Sequence, residues 1–202
     1  MGTKYTKMNA DAFKHLALNS GILVESFDPA DGSVTGLMGA TTGGMTFATN
    51  PTYEDFGEDV DQAPNNLKEL KRVVSYDPTM SGTFLEITPD VIRSLTGAAD
   101  IDEEDETHII PRAELLDSDF ADVWWVGDYS DVNTGDNAGY LAIHLRNALN
   151  TAGFQITSSK NAKTQFAFEY HAHYSLSDTD DAPFEIYCKA GEREEAAVTG
   201  ES

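Results

Sequence analysis

Three histidines come nearest to forming a metal site by type and spacing. His171 and His173 are separated by one residue, and alternate residues of a β-strand lie on the same face. A zinc ion would need a further ligand, and His144 is the candidate. Nothing in the spacing demands a metal, and the pattern favours ordinary histidines on the polar face of a strand.

Other motifs that carry chemistry are incomplete. The run 131–137, DVNTGDN, is similar to a calcium loop, but an EF-hand that begins at Asp131 needs an acidic residue where the chain has Ala142. The glycine-rich stretch 36–44 lacks the Gly-Lys-Ser/Thr of a phosphate loop, and there is no Gly-x-Ser-x-Gly elbow. Cys188 is the only cysteine and is predicted to be a small core residue. The sequence therefore predicts a protein that is not an enzyme and that uses no cofactor or metal.

The charge balance is strongly acidic. The 202 residues include 35 Asp and Glu against 13 Lys and Arg, for a net charge of −22. Such a surface repels phosphates, which argues against nucleic-acid binding through a basic patch. A hydrophobic fraction of 40% is typical of a globular chain rather than a disordered one. No apolar run is long enough for a membrane span or a signal peptide, so synthesis and folding in a cytoplasm are predicted.

Alternation of apolar and polar residues predicts a mainly β fold. The clearest stretch is 165–176, QFAFEYHAHYSL, which is predicted to form one strand about twice the usual length. Shorter strands are predicted at 22–27, 45–50, 67–76, 82–87, 107–111, 123–129, 138–146, 154–158 and 184–189.

Two short helices are also predicted. The first covers residues 10–18, with Asn9 as its cap. The second begins after Thr88, which is a good N-cap, and Pro89 suits its first position. Gly97 is a natural end for this second helix, which is predicted to flank the sheet.

The chain is organised around residues 41–100, which predict a strand, a long acidic loop, a strand, a tight turn, a strand and the short helix. The loop, 52–66, mixes five acids with three apolar residues. A loop that docks on a partner has reason to carry apolar groups; the alternative is that they pack on their own domain. The candidate contact residues are Tyr53, Glu54, Asp55, Phe56, Glu58, Asp59, Val60 and Asp61.

Three basic residues follow this loop closely in the sequence. They are Lys68, Lys71 and Arg72. One hypothesis is that they pair with the acidic loop of a neighbouring subunit. The other is a local ion pair, which would contribute roughly 0–1 kcal/mol.

Five stretches resemble the major tail proteins, or tail tube proteins, of long-tailed non-contractile bacteriophages of Gram-positive hosts. They are residues 13–21 (FKHLALNSG), 39–50 (GATTGGMTFATN), 70–89 (LKRVVSYDPTMSGTFLEITP), 124–135 (WWVGDYSDVNTG) and 166–187. Each block alone is weakly specific, and together they cover most of the chain from about residue 8 to residue 189.

The resemblance implies a structural subunit with a β-sandwich or barrel-like tail-tube fold, one flanking short α-helix and a long inter-subunit loop. Such subunits form six-membered rings that stack into a hollow tube, and strands of neighbouring subunits join around the channel. It implies residues 1–8 as an N-terminal arm, 9–189 as a single tail-tube β domain and 190–202 as a polar C-terminal tail. Loop 52–66 and both termini would reach the adjacent ring.

The resemblance also implies a place and a set of partners. The protein would belong to the virion tail, assembled in the bacterial host cytoplasm, and would contact itself, a tape measure protein, a tail terminator and baseplate proteins. DNA would pass through the lumen without specific binding, and no membrane would be involved. An acidic wall suits such a conduit, because like charge keeps the duplex from adhering.

Two alternatives remain open from the sequence. One is a tube subunit of a phage-derived particle, a tailocin. The other is a monomeric acidic β domain that binds calcium or carbohydrate.

Overall fold

A computed structural model of the chain describes residues 8–192 other than 10, 63, 133 and 136. The strands are β1 (Ala17–Phe27), β2 (Val34–Leu37), β3 (Thr41–Ala48), β4 (Pro51–Asp55), β5 (Lys71–Tyr76), β6 (Thr79–Phe84), β7 (Ala99–Ile101), β8 (Ile109–Pro111), β9 (Ala121–Tyr129), β10 (Tyr140–Asn150), β11 (Gln155–Thr157), β12 (Gln165–His171) and β13 (Phe184–Lys189). The helix α1 spans Pro89–Thr96, and 3₁₀ turns cover Ala12–His15 and Asp117–Asp119. The predicted mainly β fold with one short α-helix is confirmed. The predicted arm 1–8 and tail 190–202 lie almost wholly outside the described residues.

Nine strands form one large sheet in the order β2-β1-β9-β10-β12-β6-β3, with β11 paired to β12 and β13 paired to β10. Two separate pairs, β4 with β5 and β7 with β8, complete the pairing of the described strands. By contacts the chain divides into two compact units. Of the described residues, unit 1 contains those within 8–37, 124–143 and 186–192, and unit 2 contains those within 38–123 and 144–185. Three strands, β9, β10 and β13, contain residues of both units. The single domain over 9–189 stays a prediction.

Unit 1 has an aromatic core. Phe27 is buried and lies with its ring centroid 5.6 Å from Trp124 and 4.9 Å from Tyr140. Tyr187 stacks on Trp124 at 5.7 Å. Val24 and Ala142 fill the remaining buried positions of this cluster. Tilted and edge-on aromatic pairs of this kind add to the stabilisation from buried area.

Unit 2 is built on the inward face of β12. Phe166, Phe168 and Tyr170 are buried there, as the alternation predicted. Phe168 packs on Phe84 of β6, with ring centroids 4.7 Å apart. The Tyr170 hydroxyl lies 2.8 Å from Ser94 Oγ, so the one polar atom of that ring has a partner inside the core.

The predicted strand 165–176 was too long. The ladder ends at His171, because the next two amides bond to two different elements. Ala172 donates to the carbonyl of Pro78, and His173 donates to the carbonyl of Arg146. Alternation continues beyond this point in the sequence, but alternation reports which side chains face inward and not whether a partner strand continues.

The helix after Thr88 is confirmed in detail. The Thr88 hydroxyl accepts a hydrogen bond from the amide of Val91, which satisfies one of the free amides of the first turn. Val91 and Leu95 are buried, and Gly97 follows the last turn with a positive φ of 84°. Glycine adopts this backbone conformation without strain.

The helix predicted at 10–18 was wrong. Only Ala12–His15 form a 3₁₀ turn, and β1 already begins at Ala17. Asn19 and Gly21 have positive φ inside β1, and the register against β9 shifts between Leu18 and Ile22. The residues Asn19, Ser20 and Gly21, which directly follow the predicted helix, therefore mark an irregularity within a strand.

Cys188 was also predicted wrongly. It is exposed on β13, and Ile186, two residues earlier and so on the same face of the strand, is exposed as well. The rings of β13 take the packing positions instead: Phe184 packs on Phe47 and Tyr76 within unit 2, and Tyr187 packs on Trp124 within unit 1.

Candidate functional site: an exposed β-ribbon

The segment 51–76 forms a two-stranded antiparallel ribbon, here called the ribbon. Its strands β4 and β5 pair only with each other in the described part of the chain. The predicted loop 52–66 is corrected, because Tyr53, Glu54 and Asp55 lie on β4 and the true connection covers residues 56–70. Pro51 opens β4 rather than ending a strand, a position that proline tolerates because it lacks an amide hydrogen to donate.

Asp55 closes the base of this connection. Its carboxylate accepts hydrogen bonds from the amides of Gly57 at 2.9 Å and Asn66 at 2.7 Å. The amide of Phe56 bonds to the carbonyl of Leu70 directly beside it. A Cβ on Gly57 would lie 3.0 Å from a methyl group of Leu70, so the turn leaves little room for a larger residue at this position. Asp55 therefore shapes the loop and is not a free contact group.

The ribbon exposes apolar side chains on both strands and on the connection. Five of them are between 43% and 59% exposed: Tyr53, Phe56, Val60, Val73 and Val74. Packing of the three loop residues on their own domain, the sequence alternative, would have buried them. Tyr53 and Val73 lie opposite each other in the register, and Val74 points to the other face of the ribbon, so both faces expose apolar groups suited to contact with another molecule.

The three basic residues are engaged within the ribbon. Register places Glu54 opposite Arg72 and Asp55 opposite Lys71. The Lys71 ammonium donates to the side-chain oxygen of Asn66 at 3.2 Å and lies 5.6 Å from the centroid of the Tyr53 ring. Arg72 donates to the carbonyl of Glu69.

Lys68 forms an exposed pair with Glu69 at 3.5 Å. These contacts favour the local role for the bases. Pairs this exposed contribute little to the free energy of folding, so they shape the surface of the ribbon more than they stabilise it.

A bend joins the ribbon to the large sheet. The chain crosses it twice, at residues 49–50 between β3 and β4 and at residues 77–78 between β5 and β6. The Asn50 side-chain amide donates to the carbonyl of Asp77 at 3.0 Å, and the Asp77 amide donates to the carbonyl of Asn50. From the region after β12, the Tyr174 hydroxyl accepts from the amide of Tyr76 at 3.0 Å. The base of the ribbon is therefore tied to the sheet by named hydrogen bonds.

The candidate zinc histidines have other partners. His171 lies between Asp77 and Glu169, and His173 Nδ1 lies 3.1 Å from the carbonyl oxygen of Asn147. His144 Nε2 lies 3.0 Å from a carboxylate oxygen of Asp122, and the hydrogen bond from His144 lowers the pKa of Asp122. Among the described residues, no three His, Cys, Asp or Glu side chains are grouped so that they could hold a metal. Part of the calcium-like run 131–137 lies outside those residues.

Unit 1 contains a half-open groove of about 510 Å³. Its lining includes Gly21 and Gly127, where an added Cβ would strike the indole of Trp125. Asp128, held by the side chain of Asn19, is one of its two acids. The lining of the groove combines two acidic residues, the aromatic residues Phe27 and Tyr140, Lys189 and several glycines.

The large sheet ends in two edge strands, β2 and β3. All four residues of β2 are exposed, including Val34 and Leu37. On β3, Gly43 and Gly44 have positive φ, and the register against β6 shifts between Thr41 and Met45. A bulge of this kind discourages pairing at an edge. On β2, Gly36 also has a positive φ of 69°, but the register against β1 does not shift.

No known family model matches this chain, and no curated protein matches it at a significant level. In the part of the chain that the structure describes, no helix has the length and apolar character needed to cross a membrane.

Proposed function

We propose that this protein is a structural subunit that polymerises as stacked rings, hexameric by the sequence resemblance, into the tail tube of a long-tailed non-contractile phage. The observation that carries the proposal is the ribbon: a projection that exposes five apolar side chains and pairs with no other described strand. A lone two-stranded ribbon is marginally stable in water, so a surface of another subunit that covers it would stabilise it.

The edge strand β2 supports the same proposal. Among the described residues β2 pairs only with β1, so its other side is available to pair with a second copy. Contacts between different surfaces of identical subunits give rings when the rotation closes and an open stack when it does not. The ribbon would contact the next ring along the stack, while edge pairing would act within a ring.

The charge fits a conduit. With a net charge of −22 per subunit, a tube wall would repel DNA at close range and let it pass without specific binding. The proposal places the protein in the virion tail, with itself, a tape measure protein, a tail terminator and baseplate proteins as partners.

The experiment that tests the function is negative-stain electron microscopy of the purified protein, concentrated in low and in moderate salt. Hollow tubes or rings are the expected result. A protein that stays monomeric by light scattering at every concentration, and that also adds to no preformed tube ends, would contradict the proposal. Genome neighbourhood separates a phage tail from a tailocin.

Moderate salt is expected to strengthen polymerisation. Subunits of net charge −22 repel one another, and salt shortens the range of that repulsion from about 30 Å at 0.01 M to about 8 Å at 0.15 M. The measurement is the critical concentration for tube formation, by light scattering, across this range. A critical concentration that rises steadily with salt would mean that ion pairs between subunits dominate.

A second candidate is a monomeric binding module, which the groove in unit 1 favours. Its aromatic residues Phe27 and Tyr140 and the carboxylates of Asp31 and Asp128 are groups that carbohydrate sites use. Saturable binding to a glycan panel by a strictly monomeric protein would select this candidate. A calcium-dependent rise in melting temperature would select its calcium-binding form.

A further inference from the structure

His171 occupies a central place at the bend beneath the ribbon. It is the last residue of β12, and its Nδ1 lies 2.9 Å from a carboxylate oxygen of Asp77. Asp77 belongs to the second crossing of the bend and is bonded through its backbone to Asn50 of the first crossing. The imidazole thus connects the large sheet to the point from which both ribbon strands leave.

Both nitrogens of this ring face carboxylates. Nε2 lies 3.2 Å from Glu169, which is on β12 itself. A neutral imidazole has one N–H and one lone pair, so it can donate to only one of the two acids, whereas the imidazolium donates to both. The residues opposite His171 on the neighbouring strands are Thr79 on β6 and Leu149 on β10, and neither carries charge.

We propose that His171 is a pH-dependent clamp on the ribbon: its imidazolium fixes the bend to β12 through Asp77, and loss of the proton weakens this link, because the neutral ring has a single N–H for two carboxylates. The clamp sets how firmly the ribbon is held before it meets another subunit. Its consequence for assembly rests on the proposed function, but the clamp itself is a property of the single chain.

The direction of the pH effect follows from the charges. Partial burial acts to lower the pKa of His171, but hydrogen bonds to Asp77 and Glu169, together with their charges, outweigh burial and raise it above the ordinary value of 6.5. A group whose pKa is raised by folding contributes its full stabilisation below the unfolded value. That stabilisation is lost as the pH rises through the higher folded value.

The test is hydrogen–deuterium exchange of the full chain at a concentration below assembly, at about pH 5.5 and about pH 9, with rates corrected for the intrinsic pH dependence of exchange. Amides of segment 51–77 are expected to be about three- to tenfold less protected at the higher pH, a range that one charge-assisted hydrogen bond supports. The variant His171→Gln is expected to show the weaker protection at both values.

Two further variants keep the test discriminating. Asp77→Asn retains the backbone bonds to Asn50 but removes the charge, so the pKa of His171, followed by NMR, is expected to fall. His108→Gln is the matched control, because His108 is exposed and lies 3.3 Å from Asp102 rather than at the bend. It is expected to exchange like the parent protein at both pH values.

Equal protection of the segment at both pH values in the parent chain would overturn the clamp. So would a pH effect that persists in His171→Gln. If the ribbon responds to pH but no tubes ever form, the proposed function fails and the clamp stands. If tubes form but the protection of the ribbon does not change with pH, the clamp fails and the proposed function stands.

Discussion

The triple variant Tyr53→Ser, Phe56→Ser, Val60→Ser is expected to fold like the parent chain and to form no tubes where the parent chain does. All three side chains are about half exposed, so their loss removes little packing within the subunit. The exception is the contact of Tyr53 with the Lys71 ammonium, which contributes about 0.5–1 kcal/mol at an exposed site. In an interface, apolar anchors contribute about 2 kcal/mol each, so losing three would weaken each contact more than a thousandfold. Electron microscopy and sedimentation measure assembly, and circular dichroism measures folding.

The matched control is Ile156→Ser with Leu176→Ser. Both residues are more than half exposed, both are apolar, and neither lies on the ribbon. The control is expected to polymerise normally, which separates the ribbon from a general loss of surface hydrophobicity. Tubes of normal length from the triple variant would remove the ribbon from the inter-ring contact. Deleting residues 53–61 outright would be a poorer test, because it would remove most of β4.

The ribbon was the feature that sequence reasoning described least well, and the reason is local. The predicted strand 45–50 stops just before Pro51, yet proline is compatible with the first residue of an edge strand, and β4 begins there. Asn50-Pro51 and Asp77-Pro78 are two turn-forming pairs that flank the ribbon on either side. Taken as a pair, these two dipeptides indicate a bend at which both strands of a hairpin leave the sheet. Taken one at a time, the first predicts a loop and the second predicts a turn.

Elements decided by residues close in sequence were predicted well. The N-cap at Thr88 and the end at Gly97 depend only on their own turn of helix, and both were located correctly. The inward face of β12 followed from alternation alone. The exposure of Cys188 did not, because β13 carries aromatic rings on both faces, Phe184 on the side of Cys188 and Tyr187 on the other, so its alternation does not single out one buried face. The partners of His171 could not be predicted either, since Asp77 lies 94 residues away in the chain.

Asn150→Ala is expected to cost about 4 kcal/mol of unfolding free energy. Asn150 is 4% exposed at the end of β10, and its amide nitrogen donates to the carbonyls of Leu95 at 2.6 Å and Gly153 at 3.1 Å. Its side-chain oxygen accepts from the amide of Glu169 at 2.8 Å. Alanine would leave three backbone groups without these partners, and each buried unpaired group costs about 1–3 kcal/mol. The measurement is urea unfolding, and the melting temperature should fall by about 10 °C.

The variant Asn150→Asp separates lost hydrogen bonds from lost volume. It keeps the size of the side chain and the acceptor for Glu169, but an ionised carboxylate cannot donate to the two carbonyls. Burial beside carbonyl oxygens would raise the pKa of the introduced carboxyl, so its protonated form can donate, and the destabilisation is expected to shrink as the pH falls. Asn65→Ala, at an exposed position, is the neutral control and should change stability by less than about 0.5 kcal/mol. A loss in Asn150→Asp that does not depend on pH would show that Asn150 acts through packing rather than through its amide hydrogens.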